Sequence, residues 1–210
     1  MAKKQCKVCK IVELKDIYAD ELKVVGIKDA DVIRVEYEGE GNELNIYEDK
    51  DVVYVVGEII GENPKKLEKI TVKVPTGVGI LVGGICGRVD VLETQSAVYL
   101  KMMGNSDMCL VGVRDVDVTA IGDIELVAGR LTGKLDLGLQ GSFEVYIDKE
   151  GSLIDDLTVM ATGSGEIDAA CRVESASFGL IGSTKKPIDV YLRDVGIVKK
   201  ERVRGGAVAY

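Results

Sequence analysis

Glycines recur through the C-terminal two-thirds of the chain at a nearly fixed interval. Gly84, Gly104, Gly122, Gly141, Gly163 and Gly182 are separated by 20, 18, 19, 22 and 19 residues. A period near twenty with a turn residue at each boundary marks an array of units, none of which can bury its apolar face alone. Each unit holds two short alternating runs. The first runs are Arg88–Val91, Met108–Val111, Ile124–Val127, Phe143–Ile147, Glu166–Ala169 and Pro187–Val190; the second are Ala97–Leu100, Val116–Val118, Lys134–Leu137, Leu157–Val159 and Ser175–Phe178. Alternation places Val89, Val91, Met108, Leu110, Ile124, Leu126, Phe143, Val145, Ile147, Ile167, Ala169, Ile188 and Val190 in one interior row. Val98, Leu100, Val116, Val118, Leu135, Leu137, Leu157, Val159, Ala176 and Phe178 form the other. The pattern predicts an all-β solenoid (a β-helix) with coils of about 20 residues at 76–198, and a short tail at 199–210.

Composition agrees with a narrow, stacked interior. The chain is 46 % hydrophobic, yet it has two Phe and no Trp, so aliphatic side chains carry the core; 25 glycines against three prolines suit many tight turns. The net charge of −8 repels phosphate backbones, so no nucleic acid is expected as a partner. The longest apolar run, Val78 to Gly87, is too short for a membrane span. No apolar segment follows Met1-Ala-Lys-Lys4, which reads as a cytoplasmic chain, or an exported one if a leader has been trimmed.

Residues 1–23 read as a tail or cap. Cys6 and Cys9 are spaced as half a zinc knuckle or a redox pair, or they are two ordinary thiols; the chain has no His, and the other cysteines lie in distant repeats. Ile11, Leu14, Ile17, Tyr18 and Leu22 fit a short N-terminal capping helix, with a strand as the alternative. Residues 24–75 alternate at 32–37, 44–47 and 52–56, with turns at Gly39–Asn42 and Glu48–Asp51 and a polar loop from Gly61 to Lys66. They read as an irregular β opening to the same stack, or as a small separate β domain.

Outward positions carry the candidate chemistry. Asp90, Glu125, Glu144, Asp168 and Asp189 line up as a carboxylate ladder if coils stack in register, with rungs ~4.8 Å apart. Like charges so spaced repel by ~1 kcal/mol even in bulk water. Ca²⁺, a cation that takes oxygen ligands, could bridge adjacent carboxylates; solvation and the Arg and Lys residues nearby could equally offset the repulsion. The second runs present Tyr99, Asp117, Asp136, Thr158 and Ser177. No His and no activated nucleophile is visible, no catalytic residue is assigned, and Gly83, Gly84 and Gly87 form no phosphate loop.

The segment Leu157-Thr-Val-Met-Ala-Thr-Gly163-Ser-Gly-Glu-Ile-Asp-Ala-Ala170, followed by Ala176-Ser-Phe-Gly-Leu-Ile-Gly182-Ser183, resembles the putative-adhesin β-solenoid family, the GIN-type autotransporter adhesin head domain and its relatives. Gly104-Asn105-Ser106, Ile121-Gly122-Asp123 and Gly141-Ser142 repeat that grammar, and Lys69–Gly77 is similar to the lead-in to the repeats. The resemblance covers about residues 70–185 and implies an extended β-solenoid often labelled adhesin. The expectation is therefore a non-enzymatic binding or structural protein with a protein or glycan partner. A bactofilin-like scaffold self-associating through the solenoid ends is the alternative within that class. A carbohydrate-active β-helix enzyme is the alternative outside it, and it requires two carboxylates facing across a groove.

Overall fold

The computed structural model describes residues 2–7, 9–39, 44–57 and 66–210. Among the described residues, fourteen strands form one continuous sheet wound into a β-solenoid: β1 (Ala2–Lys7), β2 (Ile11–Ile27), β3 (Val32–Glu38), β4 (Leu44–Asp49), β5 (Val52–Gly57), β6 (Leu67–Pro75), β7 (Gly79–Leu92), β8 (Val98–Met103), β9 (Ser106–Val111), β10 (Arg114–Gly129), β11 (Thr132–Ile147), β12 (Leu153–Ile181), β13 (Ile188–Arg204) and β14 (Gly206–Ala209). From β7 onward all neighbouring strands are parallel. Val98 stacks on Val116, Val116 on Leu135, Leu135 on Leu157, and Ile167 on Val190, so a coil takes 18 to 23 residues. The glycine period therefore measures coil length.

Both interior rows are buried throughout, from Val89 to Val190 and from Val98 to Phe178. Together with Val12, Leu14, Leu22 and Val24 of β2 they form one aliphatic spine. At ~1.5–3 kcal/mol per buried aliphatic side chain, this spine is the main stabilising term.

The glycines occupy the corner between the two faces of each coil. Gly122 pairs with Gly141 and Gly141 with Gly163, all with φ between 124° and 140°. A Cβ on any of them would run into the carbonyl oxygen of the glycine one rung below. Gly84 is set two residues earlier in register, against Met102. β12 makes more than one full coil: the Ser175 hydroxyl donates to Asp155 O and Asp156 Oδ1, and Gly179 lies against Met160.

The N-terminal region departs from the expectation of a capping helix, because residues 11–27 are strand and no helix occurs among the described residues. Val12 and Leu14, then Ile17 and Ala19, then Leu22 and Val24 are buried in period two, with the phase shifted at Asp16 (φ 54°) and again at Asp20–Glu21. Those two one-residue slips are what mimicked helical spacing. β2 is a full rung of the stack. Its outer edge pairs in parallel with β5 and β6, and its inner edge pairs with β7. The antiparallel pairs β4–β5, β3–β6 and β1–β3 then close that end. β1 is a short edge strand carrying Lys3, Lys4 and Lys7, a pattern that discourages further strand addition. The Glu48–Asp51 turn joins β4 to β5 as expected; most of the 39–42 turn and of the 61–66 loop lies outside the described residues.

At the other end, β13 is open. Residues beyond Leu192 pair with β12 on one side, β14 covers only Ile188–Tyr191, and Val195, Val198 and Val203 of the spine are half-buried.

Candidate functional site

Parallel register decides which outward side chains share a column. The acidic column that forms is Asp107, Glu125, Glu144, Glu166 and Asp189. Asp90 and Asp168 stand in the next column, with Cys109, Val127, Tyr146 and Tyr191. The ladder read from sequence thus mixed two columns, because a two-residue slip leaves every side chain on the same face and period-two patterning cannot detect it. Glu125, Glu144 and Asp189 are retained; Asp107 and Glu166 replace the other two. Asp90 is 7 % exposed and paired with Arg88 Nε at 2.9 Å. Asp168 accepts from Arg193 at 2.7 Å. No group of three or more His, Cys, Asp or Glu side chains among the described residues is arranged to hold one metal ion.

Cys6 points inward from β1, opposite Ile33, while Cys9 is half-buried and its thiol donates to Ile11 O at 2.8 Å. Burial pushes both thiols above their ordinary range, and Glu48 adds to this. That is the opposite of the lowered value a reactive thiol needs. Cys86, deep in the spine, is pushed up to about 12 by burial.

A concavity lies on the other face. There the outward column expected from the second runs forms as read: Tyr99, Asp117, Asp136 and Thr158 occupy successive rungs. It continues the other way through Leu81 and Glu13 to Tyr54, whose ring stacks on Tyr47 with centroids 5.0 Å apart. Beside Leu81 and Tyr99 the surface dips into a groove of about 1020 Å³, reaching round the corner to Tyr18, Ile85 and Met103.

The groove has a local cause. In β2 the left-handed Asp16 and a bulge between Leu14 and Ile17 throw Lys15 and Asp16 outward. The next coil answers with Gly83 and Gly84, and the coil after that with Lys101. A Cβ placed on Gly83 would meet nothing within 4 Å, so the missing side chain is the floor of the groove. Lys15 and Lys101 flank it; Glu13, Asp16, Asp117 and Thr119 complete the polar lining. Neither lysine and none of the three carboxylates makes an ion pair or side-chain hydrogen bond with another described residue. Burial raises the Asp117 carboxyl above the usual range, and neighbouring Asp136 raises it further. Sequence patterning picked out Tyr99 and Asp117 but not the groove, which depends on which coils are adjacent to β2. Asp117 and Asp136 sit side by side on adjacent rungs, not across a cleft.

No family model matches the sequence, and no curated protein matches it. Solved structures do share the fold. The chain aligns over 99 % of its length, and 95 % of the other chain, with a Bacteroides fragilis protein described as a "putative adhesin", at TM-score 0.57 and 16 % identity. A Parabacteroides distasonis protein with the same description aligns over 100 % of this chain and 96 % of its own, at TM-score 0.56 and 14 % identity.

Proposed function

We propose that this chain is a non-enzymatic, adhesin-like binding protein whose rigid lateral face receives a ligand. The observation that carries the reading is the outward column from Tyr47 to Asp136, which passes a groove beside Leu81 and Tyr99 where both residues sit on strands paired on each side. Ligands are held by pre-formed concave surfaces that combine apolar area with a few polar groups, and this groove has both. The whole-length structural neighbours described as putative adhesins support the same class. Fluorescently labelled full-length protein, applied to glycan and extracellular-matrix arrays, should bind saturably to at least one class of spot. Failure to bind any spot overturns the reading.

The open edge of β13 favours a second reading, an end-to-end scaffold built from copies of this chain. Under it, mass measured by light scattering climbs with concentration; a mass that stays at one chain over a hundredfold range rejects it.

A further inference from the structure

Five charged side chains line one groove without pairing with each other: Lys15 and Lys101 of one sign, Glu13, Asp16 and Asp117 of the other. Between them lie Leu81, the 49 %-exposed Tyr99 ring and the empty space over Gly83. This lining discriminates among occupants. A fatty chain would desolvate five charges with nothing to replace water. A ligand of either net charge meets like charges on one wall. An extended peptide would bind by adding to a sheet edge, but Glu13 and Leu14 of β2, Leu81 and Val82 of β7, Tyr99–Lys101 of β8, and Asp117 and Thr119 of β10 already have lateral partners on both sides. A polyhydroxyl ligand meets every requirement: each hydroxyl donates to a carboxylate and accepts from an ammonium group, and its C–H face rests on an aromatic ring.

We propose that the groove binds a neutral oligosaccharide, stacked on Tyr99, with its hydroxyls shared among Glu13, Asp117, Lys15 and Lys101. The inference rests on the binding-protein reading above and names the ligand class for its site. The column from Tyr47 to Asp136 spans six rungs, roughly 29 Å at ~4.8 Å each, so the face suits a linear chain of several sugar units. The Tyr47–Tyr54 stack offers a second aromatic platform on the same line.

The test is calorimetric titration of the full-length protein with cellohexaose, maltohexaose, mannohexaose and N-acetylated chitohexaose, and with hexagalacturonate as the charged comparison. At least one neutral hexasaccharide should bind. Tyr99→Ala should weaken it at least about tenfold, one well-placed contact's worth. Gly83→Val, which fills the floor where nothing clashes, should do the same while its urea midpoint stays at or above that of the parent. Tyr146→Ala, on the acidic face, should change nothing. Binding of hexagalacturonate with no response to any neutral sugar overturns the inference and leaves the binding-protein reading standing. So does neutral-sugar binding indifferent to both Gly83→Val and Tyr99→Ala. Release of shorter sugars from a bound hexasaccharide supports the groove and overturns the non-enzymatic reading instead.

Discussion

Replacing Gly141 by alanine tests the stacking geometry with a single methyl group. Gly141 has φ of 124°, and its Cβ would be driven into the carbonyl oxygen of Gly122. Holding an L-residue in such a conformation costs ~1–3 kcal/mol. The clash adds to this, because the obstacle is backbone fixed by rung pairing on both sides and cannot rotate away. Relieving it means moving the corner and giving up about one or two hydrogen bonds at ~1 kcal/mol each. The sum is ~2–5 kcal/mol, a large part of the 5–15 kcal/mol typical of a folded domain. Gly83→Ala is the matched comparison: it lies in strand β7, faces open space and should gain about 0.5–1 kcal/mol from reduced freedom of the unfolded chain. Urea unfolding followed by far-ultraviolet circular dichroism reads both. A Gly141→Ala protein within about 1 kcal/mol of the parent, at unchanged denaturant slope, would refute the argument that coils meet backbone to backbone at this corner.

Three further outcomes follow from the same coordinates. Glu144 has an acid directly above and below it in Glu125 and Glu166, so Glu144→Lys should raise the thermal midpoint at low ionic strength, and 1 M salt (Debye length ~3 Å) should erase most of the gain; a salt-independent change would point to packing instead. The hydrogen bond from Ser175, then Lys199, holds the Asp156 carboxyl below its ordinary 3.8, with Lys134 adding a smaller share of positive charge. Its contribution to stability is therefore present above that value and lost as pH falls through the lowered one. Ser175→Ala should cost more stability at pH 6 than at pH 2 in urea titrations, and equal losses at both would contradict the assignment. Thiol labelling of the native protein, read by mass spectrometry, should modify half-buried Cys9 and Cys109 before Cys6, Cys86 and Cys171, with Cys86 reacting only on unfolding.

The spine was legible because its rule is local. Alternation identifies both inward rows, from Val89 to Val190 and from Val98 to Phe178, and the glycine period from Gly104 to Gly163 fixes coil length without reference to partners. What alternation cannot carry is information between coils. It assigned Asp90 and Asp168 to a column that belongs to Asp107 and Glu166, since two residues of slip change no face. Ile11 to Leu22 looked helical because extra outward residues at the Asp16 corner and again at Asp20–Glu21 join three period-two runs into a spacing near 3.6. The groove was invisible for a related reason. Its floor is an absence, Gly83, whose meaning appears only when Lys15 and Lys101 are set on either side of it, and nothing in the sequence says that residues 15 and 101 are two rungs apart.

The position of β2 between the β5–β6 coil and β7 means that synthesis order and stacking order disagree at the start of the molecule. Leaving the ribosome, β2 precedes the partners of both its edges: the outer edge waits for β5 and β6, and the inner edge for β7. Assembly should therefore have a polarity, with the β1–β6 block closing around β2 before the later coils stack on it. Circular permutants that deliver residues 2–27 last would have to thread a finished slot, and their slow refolding would be the kinetic signature of that polarity.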